Sequence, residues 1–104
     1  MGNGFEIQGN CLIIHLPKEV DHMAADEIRR DSDEIIRRKY IRTITFDFSE
    51  TIFMDSSGIG LIMGKYRTMG MRGDCIQAVG VNSYIEKLLH LSGVYKFVEI
   101  SGKI

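Results

Sequence analysis

The sequence predicts an α/β fold, with one domain over residues 1–104 in which helices pack on a mixed, mostly parallel sheet. The first observation is a strand-like period at residues 43–48, where Ile44 and Phe46 alternate with polar residues. The second is the change to helical spacing after residues 55–60, DSSGIG. The third is the alternation of further segments, which gives the order β-β-α-β-α-β-α-β. Right-handed crossovers then make most neighbouring strands parallel.

The N-terminal segment is predicted to form a hairpin. Residues 5–8 and 11–16 are rich in strand formers and are separated by Gly9-Asn10, which readily adopts the conformations of a tight turn. The two strands should therefore pair antiparallel. Pro17 ends the second strand because it has no N–H to donate to a ladder.

A helix is predicted from about His22 to Tyr40, with Asp21 as its N-cap. Acidic residues come early and basic residues late, which matches the helix dipole. An apolar face predicts that the helix covers the sheet, and its members are Ala24, Ala25, Ile28, Ile35 and Ile36. The charged face is most simply solvated.

The strand at residues 43–48 leads through the polar turn into a second helix that runs to about Gly70. Apolar residues recur there at helical spacing: Ile59, Ile62, Met63, Tyr66 and Met69. The carboxyl end of a strand meets the free N–H groups of a helix at this turn. In open α/β sheets such a crevice is a usual place for function.

The glycines of this second helix allow two interpretations. Glycine in a helix interior costs roughly 1 kcal/mol against alanine. Gly58 and Gly60 lie in its first turn, and Gly64 follows four residues later. Either Asp55 or Ser56 is an ordinary N-cap and the glycines only pack, or the glycines leave a shallow strip beside Ser56 and Ser57 that a partner can approach closely.

The remaining elements follow the same alternation. Residues 75–79 are interpreted as a buried parallel strand. Ser83 with Glu86 is interpreted as the capping box of a third helix, which ends at Gly93. Residues 97–100 form the last predicted strand.

Composition bounds the class of protein. A chain of 104 residues with 44% hydrophobic and 26% charged residues is typical of one globular domain. The net charge of −1 gives no basic excess for nucleic-acid binding. No apolar run approaches the roughly 20 residues of a membrane span, and the N-terminus lacks a signal-peptide pattern. A cytoplasmic protein without a membrane span is therefore expected.

Cysteine and histidine usage predicts neither a metal nor another cofactor. Cys11 and Cys75 lie in apolar runs and are interpreted as buried free thiols, which fits a reducing cytoplasm. Potential metal ligands do not occur at any recognised spacing. The three histidines, His15, His22 and His90, are scattered along the chain.

The familiar catalytic motifs are incomplete. Neither Ser56 nor Ser57 lies in a G-x-S-x-G elbow. Lys65 is not part of a phosphate-binding P-loop, and the dinucleotide pattern that begins at Gly58 has Met63 in place of its third glycine. We therefore expect no enzymatic activity and a serine hydroxyl that is acted upon. A helix N-terminus favours the roughly 1.5 to 2 negative charges of a phosphoryl group.

At this point the chain resembles the STAS-domain anti-sigma factor antagonists of bacteria. The strongest segment is residues 48–69, FSETIFMDSSGIGLIMGKYRTM, which is similar to the phosphorylation loop and following helix of that family. Residues 19–22, EVDH, and 87–94, KLLHLSGV, match in the same order. The family often has glycine where Lys18 stands, after Pro17.

The resemblance implies a partner switch. An unmodified member binds an anti-sigma factor that is also a serine kinase, and thereby frees a sigma factor. Phosphorylation of the second serine, here Ser57, separates the complex, and a metal-dependent serine phosphatase restores it. The resemblance further implies a set of residues that flank this serine or contact the partner: Asp21, His22, Asp55, Ser56, Gly58 and Gly60.

A second hypothesis keeps the fold and changes the role. The chain would be a STAS subunit without phosphorylation, in a lipid-transport ATPase or a larger signalling assembly. Ser56 and Ser57 would then only cap a helix and contact a neighbour. The adjacent genes discriminate between a kinase with a sigma factor and a membrane transporter.

Overall fold

The strand-like alternation and the helical spacing of apolar residues divide the chain into elements whose bounds lie close to the predicted ones. The computed structural model describes residues 4–102, so the predicted domain limits at 1 and 104 lie outside the described residues. The elements are β1 (Phe5–Gln8), β2 (Cys11–His15), β3 (Glu19–Val20), α1 (His22–Arg38), β4 (Thr43–Asp47), β5 (Phe53–Met54), α2 (Ser56–Thr68), β6 (Ile76–Val79), α3 (Ser83–Leu91), a 3-10 turn (Val94–Lys96) and β7 (Glu99–Ile100).

The main sheet begins with the predicted hairpin. β1 and β2 pair antiparallel around Gly9, whose φ of 61° is readily adopted by glycine. β2, β4, β6 and β7 then pair in parallel. Within residues 4–102 the strand order of this sheet is β1-β2-β4-β6-β7. The predicted α/β class with a mixed, mostly parallel sheet is confirmed.

The core lies where the sheet meets the helices. Ile44, Phe46 and Phe48 are completely buried, as their alternation in the sequence predicts. The helices contribute buried apolar residues to the same cluster: Ala25 from α1, Leu61 and Ile62 from α2, and Ile85 and Leu89 from α3. Among the described residues, no helix combines the length and apolar character needed to cross a membrane.

Two short strands lie outside the main sheet and were not predicted. β3 and β5 pair in parallel, with Glu19 opposite Phe53 and Val20 opposite Met54. A strand of two residues is too short to show a period of two. Each strand is followed after one residue by a helix. The ladder therefore places the N-termini of α1 and α2 side by side.

The loop before β3 is held by the segment before β5. The hydroxyl of Thr51 donates to the carbonyl of Pro17 at 2.8 Å, and the amide of Ile52 donates to the carbonyl of Lys18 at 2.8 Å. Lys18 does not have a positive φ. A lysine is therefore accommodated where the resembled family often has glycine.

Several predicted boundaries differ in the structure. α1 ends at Arg38 and not at Tyr40. The capping-box prediction for α3 is wrong, because the N-cap is Asn82, whose side-chain oxygen accepts from the amide of Ile85 at 2.8 Å. The last strand is shorter than predicted, since residues 94–96 form a 3-10 turn and β7 begins only at residue 99.

The two thiols differ in environment. Cys75 is buried, as predicted. Cys11 is only partly buried, and its sulfur lies 3.6 Å from the hydroxyl oxygen of Thr45. Both cysteines are free.

Candidate functional site

The site is built on two aspartates that begin neighbouring helices. The Asp21 carboxylate accepts from the amide of Ala24 at 3.0 Å, and the Asp55 carboxylate accepts from the amide of Ser57 at 2.8 Å. Both aspartates have extended backbones, as N-caps do. The amide of Asp55 also donates to the carbonyl of Val20 at 3.2 Å. Of the two predicted cap candidates for α2, Asp55 is the cap.

Ser57 lies between the two helix starts. It is the second residue of α2 and is partly exposed, next to the fully accessible Ser56. Its Oγ lies 3.5 Å from Nδ1 of His22, the first residue of α1, a contact at the long limit for a hydrogen bond. The structure thus brings together Asp21, His22, Asp55 and both serines from two distant segments of the sequence.

An open cleft of about 260 Å³ separates the first halves of α1 and α2 beside Ser57. Residues one turn apart on each helix form its walls: His22, Ala25, Asp26 and Arg29 from α1, and Ser57, Gly60 and Leu61 from α2. A Cβ atom built on Gly60 would meet no other atom within 4 Å. The absence of a side chain at residue 60 therefore keeps the cleft open next to the serine hydroxyl.

Gly58 has a different role from the one predicted. It is buried, and a Cβ atom there would lie 2.3 Å from Cγ of Met54 and 3.1 Å from Cγ1 of Val20. Contacts this short do not occur between real atoms. Gly58 therefore lets the first turn of α2 lie directly on the β3–β5 ladder. It is buried beneath the exposed residues around Ser57.

Charged residues on the α1 wall are already paired. Asp26 accepts hydrogen bonds from the guanidinium groups of Arg29 and Arg30, the second at 3.1 Å. The hydrogen bond from Arg29, with the charges of both arginines, lowers the pKa of the Asp26 carboxyl. Only Arg29 of these two arginines lines the cleft. Sequence analysis treated this charged face as solvated and did not single out Arg29.

A buried ion pair continues the seam between the two helices. Lys65 of α2 is 1% exposed, and its Nζ donates to Asp33 of α1 at 2.6 Å and to the carbonyl of Arg29 at 3.4 Å. Lys65 follows Leu61 by one helical turn, and Asp33 follows Arg29 by one turn. The pair thus links α1 to α2 just beyond the cleft. One indication of this ion pair was present in the sequence, since Lys65 occupies a position of α2 where the helical spacing predicts a buried apolar residue.

Large apolar side chains are exposed near the helix starts. Met23 in the first turn of α1 is 80% exposed, and Ile52 just before β5 is 64% exposed. Phe53 and Tyr84 are also exposed, and the Tyr84 hydroxyl donates to the carbonyl of Met54 at 3.2 Å. These residues were not predicted from the sequence, although the pair Ile52-Phe53 is separated from the polar turn only by Met54.

The chemistry available at the site is that of two serine hydroxyls, those of Ser56 and Ser57, at a helix N-terminus. Free amide groups and the helix dipole favour negative charge there. Among residues 4–102, no group of three or more histidine, cysteine, aspartate or glutamate side chains could hold a metal ion. The site can therefore accept an anionic modification on Ser57 and can contact another protein through its apolar surroundings.

Comparisons with known proteins show the family to which the chain belongs. A model of the STAS domain matches residues 5–104. An anti-sigma F factor antagonist of Paenibacillus polymyxa is 36% identical over 89 residues, which are 86% of this chain and 76% of that protein.

Two solved structures are similar in fold. The anti-sigma factor antagonist SpoIIAA in its unphosphorylated form superposes with a TM-score of 0.82 at 27% identity, over 92% of this chain and 84% of that chain. The Bacillus cell fate determinant SpoIIAA in the phosphorylated form superposes with a TM-score of 0.73 at 27% identity, over 92% and 87%. The chain belongs to the STAS domain family, among the bacterial anti-sigma factor antagonists.

Proposed function

We propose that this chain is a phosphorylation-gated anti-sigma factor antagonist. Its unphosphorylated form binds an anti-sigma factor that is also a serine kinase, and so frees a sigma factor in the cytoplasm. Phosphorylation of Ser57 by that kinase releases the complex. The observation that carries the proposal is the position of Ser57, an accessible hydroxyl between two helix N-termini and beside an open cleft.

The chain supplies only the acceptor in this reaction. The Oγ atom of Ser57 attacks the γ-phosphorus of ATP held by the kinase, and a new O–P bond forms. The bond from this phosphorus to the β-phosphate oxygen breaks, so that ADP leaves together with the hydroxyl proton. A metal-dependent serine phosphatase hydrolyses the phosphoserine and restores the hydroxyl. No step requires enzymatic activity of the chain itself.

The surroundings of Ser57 explain why a phosphoryl group would weaken docking. Exposed apolar residues are the kind of surface that a partner buries: Met23, Ile52, Phe53 and Tyr84. A bound partner would remove water from the serine between them. The phosphoryl group brings roughly 1.5 to 2 negative charges, which are unfavourable to desolvate. A loss of about 2.8 kcal/mol weakens binding a hundredfold.

The predicted partner-binding residues divide into two groups. Asp21, His22, Ser56 and Gly60 are accessible and are proposed as direct contacts. Asp55 positions the amide of Ser57, and Gly58 sets the depth of the first turn of α2. The names of the relatives, at 36% and 27% identity, favour an antagonist over a transporter subunit.

Phosphopeptide mapping and binding titrations test the proposal. With its cognate anti-sigma factor kinase and ATP, the phosphoryl group should appear on Ser57. Ser57→Ala should bind the anti-sigma factor normally and stay bound when ATP is added, whereas Ser57→Asp should bind about ten- to a hundredfold more weakly. Ser56→Ala is the matched control and should behave like the unsubstituted protein. Phosphorylation at another residue, or equal affinity of the two Ser57 variants for the anti-sigma factor, would refute the proposal that phosphorylation of Ser57 releases the complex.

A further inference from the structure

Resting on the proposed function, we propose that the phosphoryl group on Ser57 is held within its own protein by Arg29 and His22. In this arrangement Arg29 exchanges its partner, leaving the carboxylate of Asp26 for the phosphoryl oxygens. The cleft between α1 and α2 is thus an intramolecular phosphoserine site.

The placement of the residues provides the site. His22, Asp26 and Arg29 recur at intervals of three or four and therefore share one face of α1. Ser57 lies opposite this face, with its Oγ 3.5 Å from Nδ1 of His22. The cleft of about 260 Å³ is several times the ~30 Å³ that one water molecule occupies in the liquid. Because Gly60 has no side chain, the space beside the hydroxyl is free.

The charges allow Arg29 to change partner. The charged and titratable groups around the cleft are His22, Asp26 and Arg29 on α1, together with the cap residues Asp21 of α1 and Asp55 of α2. Asp26 has two guanidinium partners, and Arg30 would remain with it at 3.1 Å after Arg29 leaves. The Asp26 carboxylate therefore does not lose its counter-charge.

Arg29 gains a stronger partner by this exchange. A guanidinium group binds phosphoryl oxygens through two parallel charge-assisted hydrogen bonds. The side chain of Arg29 is half exposed, so it can reorient without disturbing the core. Its backbone carbonyl continues to accept from Lys65, which holds this turn of α1 against α2. His22 adds a ring N–H donor on the other side of the serine.

This intramolecular site would affect both the phosphorylated protein and its dephosphorylation. A phosphoserine is hydrolysed extremely slowly without a catalyst, so the modified protein persists until a phosphatase acts, and Arg29 and His22 fix where its phosphoryl group lies. Its charge stays in the docking surface, which keeps the anti-sigma factor away. A phosphatase would have to draw the group from the cleft before hydrolysing it.

The test uses protein with phosphoserine incorporated at residue 57 during translation, so that no kinase is needed. The second ionisation of the phosphoryl group, near pH 6 when unperturbed, is followed by phosphorus NMR. Arg29→Gln should raise its midpoint by about 0.5 to 1 unit, because a neighbouring cation favours the dianion. Arg37→Gln is the matched control, since Arg37 is an exposed arginine of the same helix that pairs with Glu34 and does not line the cleft, and should leave the midpoint within about 0.2 unit.

Two further variants sharpen the result. Arg29→Lys keeps the charge and loses the fork of two donors, so its midpoint should lie between those of the unsubstituted protein and Arg29→Gln. His22→Gln should raise the midpoint less than Arg29→Gln. Equal midpoints for the unsubstituted protein, Arg29→Gln and Arg29→Lys would overturn the proposal.

The measurement separates this inference from the proposed function. No partner is present in the titration. The expected rise of the midpoint in Arg29→Gln would therefore support the intramolecular site even if phosphoserine failed to weaken binding of the anti-sigma factor. Conversely, equal midpoints together with a hundredfold weaker complex would leave the gate intact and remove only the intramolecular site.

Discussion

Val20 and Met54 lie opposite each other in a two-stranded parallel ladder, and the next residue after each is the N-cap of a helix. Each helix N-terminus carries the equivalent of about half a positive charge. The pairing therefore brings two such ends together at Ser57, with the carboxylates of Asp21 and Asp55 as their caps. This short ladder, more than the main sheet, therefore sets the position of Ser57 and of the charged groups around it.

Gly58→Ala should lower the free energy of unfolding by about 1 to 2 kcal/mol. The new Cβ would lie 2.3 Å from Cγ of Met54, and Met54 is itself buried, so the ladder or α2 has to shift. The gain in helix propensity of roughly 1 kcal/mol offsets only part of this strain. Urea denaturation followed by circular dichroism measures the change.

Gly60→Ala is the matched control for Gly58→Ala, because both replace a glycine in the first half of α2. No atom lies within 4 Å of the new Cβ, so stability should rise by up to about 1 kcal/mol. An equal loss of stability in both variants would show that the glycines act through backbone conformation and not through the contact with Met54.

The main elements were predictable because each carries its own local signal. The alternation of Ile44, Phe46 and Phe48 predicts a central strand, and all three side chains are buried. The turn at residues 55–60 predicts the start of a helix, and Asp55 caps it. Signals of this kind need only a few neighbouring residues, which is why the order of the main strands and helices along the chain followed from the sequence.

The parts that were not predicted depend on contacts between distant residues. β3 and β5 form strands only because they fold side by side, although their paired residues lie 34 positions apart in the sequence. The pairing of Lys65 with Asp33 is likewise visible only after α1 and α2 are packed. Gly58 shows the same limit, since the sequence cannot tell a glycine that faces a partner from one that faces Met54.

Asp55→Ala should cost about 1 kcal/mol of stability, because the amide of Ser57 loses its acceptor. Asp55→Asn keeps an acceptor at the N-cap and should change stability by only a few tenths of a kcal/mol. Thermal unfolding of the two variants measures the difference. If both lose the same stability, the negative charge of Asp55 matters more than its hydrogen bond.

Asp33→Ala should destabilise the protein by about 2 to 4 kcal/mol, because it leaves the ammonium group of Lys65 buried without its counter-charge. Lys65→Met should change stability by less than about 1 kcal/mol, since methionine fills similar space and the partly exposed Asp33 can be hydrated. Chemical denaturation of both single variants and the double variant measures the coupling. Equal losses in the two single variants would contradict this asymmetry.

A three-residue cluster at the edge of the hairpin should make stability depend on pH. Nδ1 of His15 lies 2.7 Å from Asp47, and its Nε2 lies 2.9 Å from Glu6. The hydrogen bond to Glu6, then that to Asp47, raises the pKa of His15. The pKa of Glu6 is lowered, first by its hydrogen bond with His15. Burial opposes the same change in Asp47, but hydrogen bonds from Ser49 and His15 still lower the pKa of its carboxyl.

These directions define the pH range in which the cluster stabilises the fold. A histidine with a raised pKa contributes fully below its unfolded value of about 6.5 and loses that contribution as pH rises through the folded value. The two carboxylates contribute above their unfolded values of about 4 and lose that contribution on acidification. Stability from this source should therefore be greatest between about pH 4.5 and 6.5. In His15→Gln the decline above pH 6.5 should disappear from urea titrations, whereas His90→Gln, which lies outside the cluster, should retain it. A decline that persists in His15→Gln would assign the pH dependence to other groups.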